Sequence, residues 1–314
     1  MYAYENYQKV KEIIAERRQK AIAAADARNL EIASISETVR IIDRELRQTG
    51  LLLFKTACRG EDLAPLRKRN TELCEKRKAE LLRLGYPEDY TEIKYTCPDC
   101  SDTGYVGGRA CKCLRELLIT ENIKSSGIGR LIERQSFDNF DVERYKDDKE
   151  IYERTKQNLA VAKDFAENFG KNEVTTLLFV GKTGTGKTHI STAIAKAVIE
   201  KGFEVLYDST QNVLAAFEYD RFKSGFVDKE PRSDKYLECD LLILDDLGTE
   251  VINQFTVSCI YNLINTRQNR GLATVISTNL SAEELARKYN DRIYSRIVGA
   301  DSRILLFVGR DNRL

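Results

Sequence analysis

The octapeptide Gly181–Thr188, G-K-T-G-T-G-K-T, lies between the apolar run T-T-L-L-F-V and a stretch of helix formers. Glycines at 181, 184 and 186 clear side chains from a turn in which backbone N–H groups can converge. Such a nest at the positive end of a helix binds anions, phosphate above all. The spacing is G-x-x-x-x-G-K-[ST], and a strand before it with a helix after it is the context that gives the pattern meaning. There Lys187 reaches the β- and γ-phosphates and the Thr188 hydroxyl takes a Mg²⁺ position. Thr183 and Thr185 complete the loop. His189, the only histidine, follows as a helix-start residue at the edge of the nucleotide-binding set. The expected ligands are ATP and Mg²⁺.

Three further groups fit phosphate chemistry. The run L-L-I-L-D-D ends in Asp245 and Asp246. The first acid can order Mg²⁺ and the second polarise the attacking water, although an acid pair at a strand end also makes an ordinary solvated turn. Thr278 and Asn279 end the next apolar run, V-I-S-T-N, where a polar side chain can meet the γ-phosphate or hold the water. Arg292 and Arg296 are four residues apart and so share a helix face. Guanidinium groups there can stabilise transition-state charge on a nucleotide held by a neighbouring chain. A solvated basic face is the alternative.

A different chemistry is written in C-P-D-C-S-D-T-G-Y-V-G-G-R-A-C-K-C. Cys97, Cys100, Cys111 and Cys113 form two close pairs around a glycine-rich turn, a pattern that can set four thiolates around zinc. The second pair is C-x-C instead of the usual longer spacing. Free thiols or a redox pair are the alternatives. Tyr105, Arg109 and Lys112 suit nucleic-acid contact, but a structural staple is the preferred reading.

The elements needed to position these groups follow from periodicity. Residues 1–64 contain no proline, and Ile32, Ile35, Val39, Ile42 and Leu46 recur at spacings of three and four, one apolar stripe on a helix, too short for an independent coiled coil and so expected in a helical hairpin or small bundle. A further helix fits 62–84, with Asp62 as cap, Pro65 in its first turn and Gly85 as stop. From residue 150, the helical face Ile151, Thr155, Leu159, Ala162, Phe165 and Phe169 precedes five strand-like runs: T-T-L-L-F-V-G, F-E-V-L-Y-D, D-L-L-I-L-D-D, A-T-V-I-S-T-N and R-I-L-L-F-V-G. Helical patterns near 187–200, 209–222, 252–270 and 281–298 separate them, the last opened by a Ser281/Glu284 capping box. Strands apolar on both faces and alternating with helices imply a parallel sheet covered on both sides. The break K-S-G-F-V-D-K-E-P-R-S-D-K reads as a mobile loop. The expected division is a helical N-terminal domain (1–96), a zinc module with a short helix (97–125), a linker (126–148) and an α/β nucleotide-binding domain (149–314).

The 314 residues include 50 basic and 49 acidic side chains, so no global field draws the chain to nucleic acid or an anionic membrane. No apolar run approaches the roughly 20 residues that span a bilayer, and the N-terminus lacks a signal-peptide core. A cytoplasmic protein is expected. Any nucleic-acid contact must be local, and Phe217, Tyr219, Arg221 and Phe222 mix aromatics with a cation in a way that suits stacking on single-stranded DNA.

From about Phe137 to Leu314 the chain resembles the AAA+ ATPases of the DnaC/DnaI helicase-loader family, with the transposon helper IstB as close kin. The resemblance rests on G-K-T-G-T-G-K-T-H, L-L-I-L-D-D-L-G-T-E, S-T-N and the terminal R-I-Y-S-R-I…G-R-D-N-R. It implies the AAA+ P-loop fold, Asp245 as metal-ordering acid, and Asp246 where many such proteins carry a glutamate base. The shorter acid implies slow hydrolysis, with Glu250 as an assisting candidate. Asn279 would match the γ-phosphate sensor, Arg292 and Arg296 the trans-acting arginine region, and Arg313 the second sensor. Phe137 and Phe140 fall where an adenine pocket would form. The implied function is an ATP-dependent loader. Its N-terminal part would grip the replicative helicase hexamer, and its ATPase part would self-associate on ATP and hold single-stranded DNA. The alternatives are a transposition helper ATPase and a nucleotide-gated binding module with little turnover.

Overall fold

Every strand expected from the apolar runs forms. The computed structural model describes residues 4–129, 131–222 and 231–309. The chain divides into two units, residues 11–114 and residues 115–314 together with the first ten. Among the described residues, no helix is long and apolar enough to cross a membrane.

The smaller unit is built on α1 (Tyr4–Ile35), α2 (Glu37–Cys58) and α3 (Ala64–Arg83), followed by a hairpin of β1 (Tyr105–Val106) and β2 (Arg109–Ala110). The stripe expected on one helix is divided. Ser36 leaves helical geometry (φ −131°, ψ 112°) and its side chain accepts the Val39 amide, so it ends α1 and caps α2. Ile32, Val39 and Ile42 are buried, but Ile35, beside the break, is exposed and Leu46 half-buried. Ile32 and Val39 pack with Leu81 of α3. Arg77 ties the three helices together, bonding Asp43 (2.6 Å), Thr91 (2.7 Å) and Asn29 (2.8 Å). Asp62 accepts the Ala64 amide at 2.9 Å, Pro65 sits in the first turn of α3, and Gly85 follows it.

In the larger unit α4 (Lys112–Ser125) enters, then α5 (Leu131–Arg134), a 3-10 turn (Val142–Tyr145) and α6 (Lys149–Glu167). There follow β3 (Thr176–Gly181), α7 (Lys187–Glu200), β4 (Val205–Ser209), α8 (Thr210–Phe222), α9 (Asp234–Glu238), β5 (Leu241–Leu247), α10 (Gln254–Asn269), β6 (Ala273–Thr278), α11 (Ala282–Ile297) and β7 (Ser302–Phe307). The sheet is parallel throughout, in the order β4-β5-β6-β3-β7.

Strand alternation sends neighbouring residues to opposite faces. Leu177 and Phe179 share one buried cluster with Phe165 of α6 and Ile190 and Ile194 of α7, whereas Leu178 belongs to a second cluster with Ile260 of α10 and Leu285 of α11. The strands are apolar on both sides because both sides are covered. Residues 126–148, expected as a linker, carry α5 and the 3-10 turn, and Ile128 and Ile132 are buried in the first of these clusters. The Ser281/Glu284 capping box opens α11. That helix is not continuous, however. Asn290 adopts φ 71°, ψ 161°, and its Oδ1 accepts the Arg292 and Ile293 amides, starting the chain's turn afresh. The expected loop at 223–235 lies outside the described residues over 223–230, and Arg313 lies outside them too.

Candidate nucleotide and metal sites

Strands β3, β5 and β6 end side by side, and their termini enclose a cavity of about 740 Å³. The size suits a bound small molecule, and the carboxyl edge of a parallel sheet is where such ligands sit. Thr183, Gly184, Gly186, Lys187, Thr188, His189, Asp245, Asp246 and Asn279 all line it.

The glycine-rich turn has the backbone its sequence requires. Gly186 takes φ 100°, and a Cβ there would stand 3.2 Å from both Phe140 and the Tyr145 hydroxyl. Gly181 is held for another reason, since a Cβ would come within 2.1 Å of the Phe307 carbonyl on β7. Thr185 is buried, its hydroxyl bonded to Lys182 O (2.7 Å) and its carbonyl accepting from Tyr145 (3.2 Å). Lys187 is 6% exposed. Its ammonium donates to Gly181 O (2.5 Å), Lys182 O (2.8 Å) and Asn279 Oδ1 (2.7 Å), drawing loop and β6 terminus to one point. This cradle of amides, one buried cation and a facing acid pair fits a Mg²⁺-bound polyphosphate.

The acid pair stands on a bulge. The β5–β6 register shifts between Leu244 and Leu247, Asp246 has φ 55°, and its amide bonds the Ser277 hydroxyl at 3.0 Å. A bulge re-aims side chains at a strand end, and here it leaves Asp246 exposed and Asp245 half-buried. Asp245 accepts from Tyr207 of β4 at 2.6 Å and from Ser277 of β6. Burial and the adjacent Asp245 raise the Tyr207 phenol well above its ordinary pKa, which keeps it a donor. Neither Tyr207 nor Ser277 was singled out from sequence. The available signal was position alone, since each closes an apolar run beside β5.

The aromatic wall comes from residues before the sheet. Phe140 lines the cavity, stacks on Tyr145 (6.3 Å between centroids) and meets the His189 ring edge-on at 5.1 Å. His189 Nε2 contacts Ser136 O (3.0 Å) and Asn139 Oδ1 (2.9 Å), and burial pulls its pKa below the ordinary value. Phe137, by contrast, packs against the core. Glu250 is buried, accepts the Gly248 amide (2.9 Å) and is not among the lining residues. Arg292 and Arg296 also stand outside the lining. Arg292 is exposed, and Arg296 lies over the Tyr261 ring. Of the stacking candidates, Phe217 packs against the core and Arg232 covers Tyr219 at 3.6 Å, while Arg221 and Phe222 are exposed.

In the smaller unit the sulfurs of Cys97, Cys100, Cys111 and Cys113 all lie within 4.8 Å of one another. The Cys97–Cys111 and Cys100–Cys113 separations are 3.8 and 3.5 Å. Four sulfurs held tetrahedrally at about 2.3 Å from one zinc ion stand about 3.8 Å apart, so the set fits. Buried Asp102, not flagged by sequence, accepts the amides of Thr96 (2.8 Å) and Cys97 (2.9 Å) and so shapes the first knuckle. Burial raises the Cys100 thiol, but the Gly104 amide and the neighbouring thiols bring it down to about 7.

Residues 124–298, more than half of the chain, match the family described as IstB-like ATP binding protein. The chain is similar to the replicative helicase loader DnaC of Escherichia coli strain K12, 25% identical over 193 residues that cover 62% of this chain and 75% of that protein. It is similar also to DnaC of Buchnera aphidicola subsp. Baizongia pistaciae, 26% identical over 182 residues, 58% of this chain and 70% of that one. The crystal structure of the DnaC helicase loader aligns with 49% of this chain and 90% of its own, at 27% identity and a TM-score of 0.45.

Proposed function

The chain belongs to the family of IstB-like ATP binding proteins, the DnaC/IstB type of AAA+ protein, and from that premise we propose that it is an ATP-dependent loader of the replicative DNA helicase. The observation that carries the reading is the convergence of Lys187, Thr188, Asp245, Asp246 and Asn279 on one cavity in a chain similar to helicase loaders. Loop amides with Lys187 hold the β- and γ-phosphates, and Thr188 and Asp245 hold Mg²⁺, which neutralises phosphate charge when bound. Asp246 accepts the proton of the attacking water, and Asn279 senses the γ-phosphate through its tie to Lys187. Arg292 and Arg296 act on a neighbouring chain's nucleotide, which makes self-association part of the reading, and Arg313 joins them as second sensor. Turnover is slow, because aspartate reaches less far than glutamate. ATP therefore works as a switch, favouring the state that prefers it.

Zinc on the four cysteines staples the base of the helical unit, which grips the helicase. Single-stranded DNA is held by the larger unit, with Arg221 and Phe222 the candidates its surface leaves exposed. The competing reading is a transposition helper, which the family description equally suits.

Size-exclusion chromatography with light scattering, on the chain mixed with its host's replicative helicase, tests the proposal. An ATP-dependent co-migrating complex is expected. Its absence under every nucleotide condition, with a complex formed on a transposase instead, would replace the loader by the helper.

A further inference from the structure

Asp245 is held from both flanking strands, and the grip from β4 leads out of the cavity. Strand β4 is an edge of the sheet, paired with β5 on one side only. On its other side the Tyr207 amide donates to Ser126 O at 2.7 Å, at the C-terminal end of α4. Gly127, with φ 79°, passes so close that a Cβ would stand 2.5 Å from the Tyr207 carbonyl. The side chain of the same tyrosine crosses to Asp245 Oδ2, with the Thr188 and Ser191 hydroxyls beside its own. Tyr207 thus joins three things: the end of α4, the metal-ordering acid, and the helix that carries Thr188.

A carboxylate that serves a metal ion must present a fixed lone pair, and outer hydrogen-bond partners fix it. Removing such a partner typically costs roughly 10- to 100-fold in metal affinity. Ser277 supplies one partner to Asp245 and Tyr207 the other. We infer that Tyr207 is the positioning residue of the Mg²⁺ site and that the seat of α4 against β4 is coupled through it to metal loading. The inference rests on the reading of Asp245 as the metal-ordering acid. It goes further in giving that acid an input: a shift of Ser126 and Gly127 moves the tyrosine that orients it. Neither residue lines the nucleotide cavity, whereas Tyr207 does, so the coupling reaches the metal-ordering acid from outside the phosphate loop.

The test uses the full chain and a fluorescent ATP analogue, titrated in EDTA and then across Mg²⁺ concentration. Tyr207→Phe keeps the ring and removes the hydroxyl. It is expected to raise the Mg²⁺ midpoint about 10-fold, to leave affinity in EDTA within about twofold, and to recover full hydrolysis at saturating Mg²⁺. Gly127→Ala, which alters no group in the cavity, is expected to move the midpoint in the same direction, with circular dichroism confirming the fold. An unchanged midpoint in Tyr207→Phe overturns the positioning role. An unchanged midpoint in a folded Gly127→Ala chain, beside a shifted Tyr207→Phe, overturns the coupling to α4. A wild-type chain that binds the analogue with no response to Mg²⁺ removes the reading of Asp245, and the inference with it.

Discussion

The nucleotide cavity and the cysteine cluster hold their chemical groups in place in opposite ways. Around the cavity the scaffold comes first. Leu177, Phe179, Ile243 and Val275 are fully buried, and the loop, the acid pair and Asn279 stand at the C-terminal ends of strands that pack whatever the loop holds. Even Lys187 is satisfied by protein oxygens. Around the cysteines the scaffold is slight: two strands of two residues each, exposed throughout, with Asp102 and the Gly104 amide as local props. The lesson is that the first site owes its shape to a hydrophobic core, whereas the second is held by a few local hydrogen bonds around its four thiols.

Removing ligating groups separates the two most widely. Structural zinc contributes on the order of 10–16 kcal/mol to small metal-held folds. Cys97→Ser or Cys111→Ser is therefore expected to lose the single zinc by elemental analysis and to open residues 97–113 to protease. ATP-analogue affinity should stay within about twofold, since the cavity stands on its own core. A cysteine variant that keeps its zinc, or that loses nucleotide binding along with it, would break the contrast.

Within the cavity the expected loss is chiefly chemical. Asp246→Ala should lower steady-state hydrolysis by about 10² or more, the usual worth of a general base. Binding should change little, because Asp246 is exposed, and thermal stability should fall modestly, because alanine tolerates its φ of 55° less well than aspartate. Clear hydrolysis retained by that variant would move the base elsewhere; no hydrolysis in the wild type would favour a binding module.

The smallest effect is one of pH. Burial holds the folded-state pKa of His189 below its ordinary value. The unfolded chain then binds the proton more readily, so this term is fully present above about pH 6.5 and declines as pH falls. Relative to His189→Gln, the wild type should lose Tm as pH falls from 7 to 5. A wild type that gains on the variant would reverse the sign.

Much of the cavity was legible in sequence because it is written locally. Gly181–Thr188, the acid pair and Asn279 each close an apolar run, and a run's end is also a strand's end. What escaped is whatever depends on a partner distant in the chain. Tyr207 and Ser277 matter only because β4 and β6 flank β5, an order no single run reveals. Asp102 looks like any acid in a turn until its two amide bonds are seen. The break at Ser36 was hidden for another reason. Ile32, Val39 and Ile42 keep helical spacing across it, so burial continues where the backbone does not. The kink at Asn290 lies within a helical pattern in the same way.

The claim at the centre of this account is that the cavity at the ends of β3, β5 and β6 binds Mg²⁺-ATP through Lys187. Equilibrium titration of a fluorescent ATP analogue into wild-type and Lys187→Ala chains tests it most directly. Saturable Mg²⁺-dependent binding by the wild type is expected, weakened by at least about 100-fold in the variant, the loss of one buried charge-assisted contact to phosphate. A folded Lys187→Ala chain with wild-type affinity would contradict the assignment.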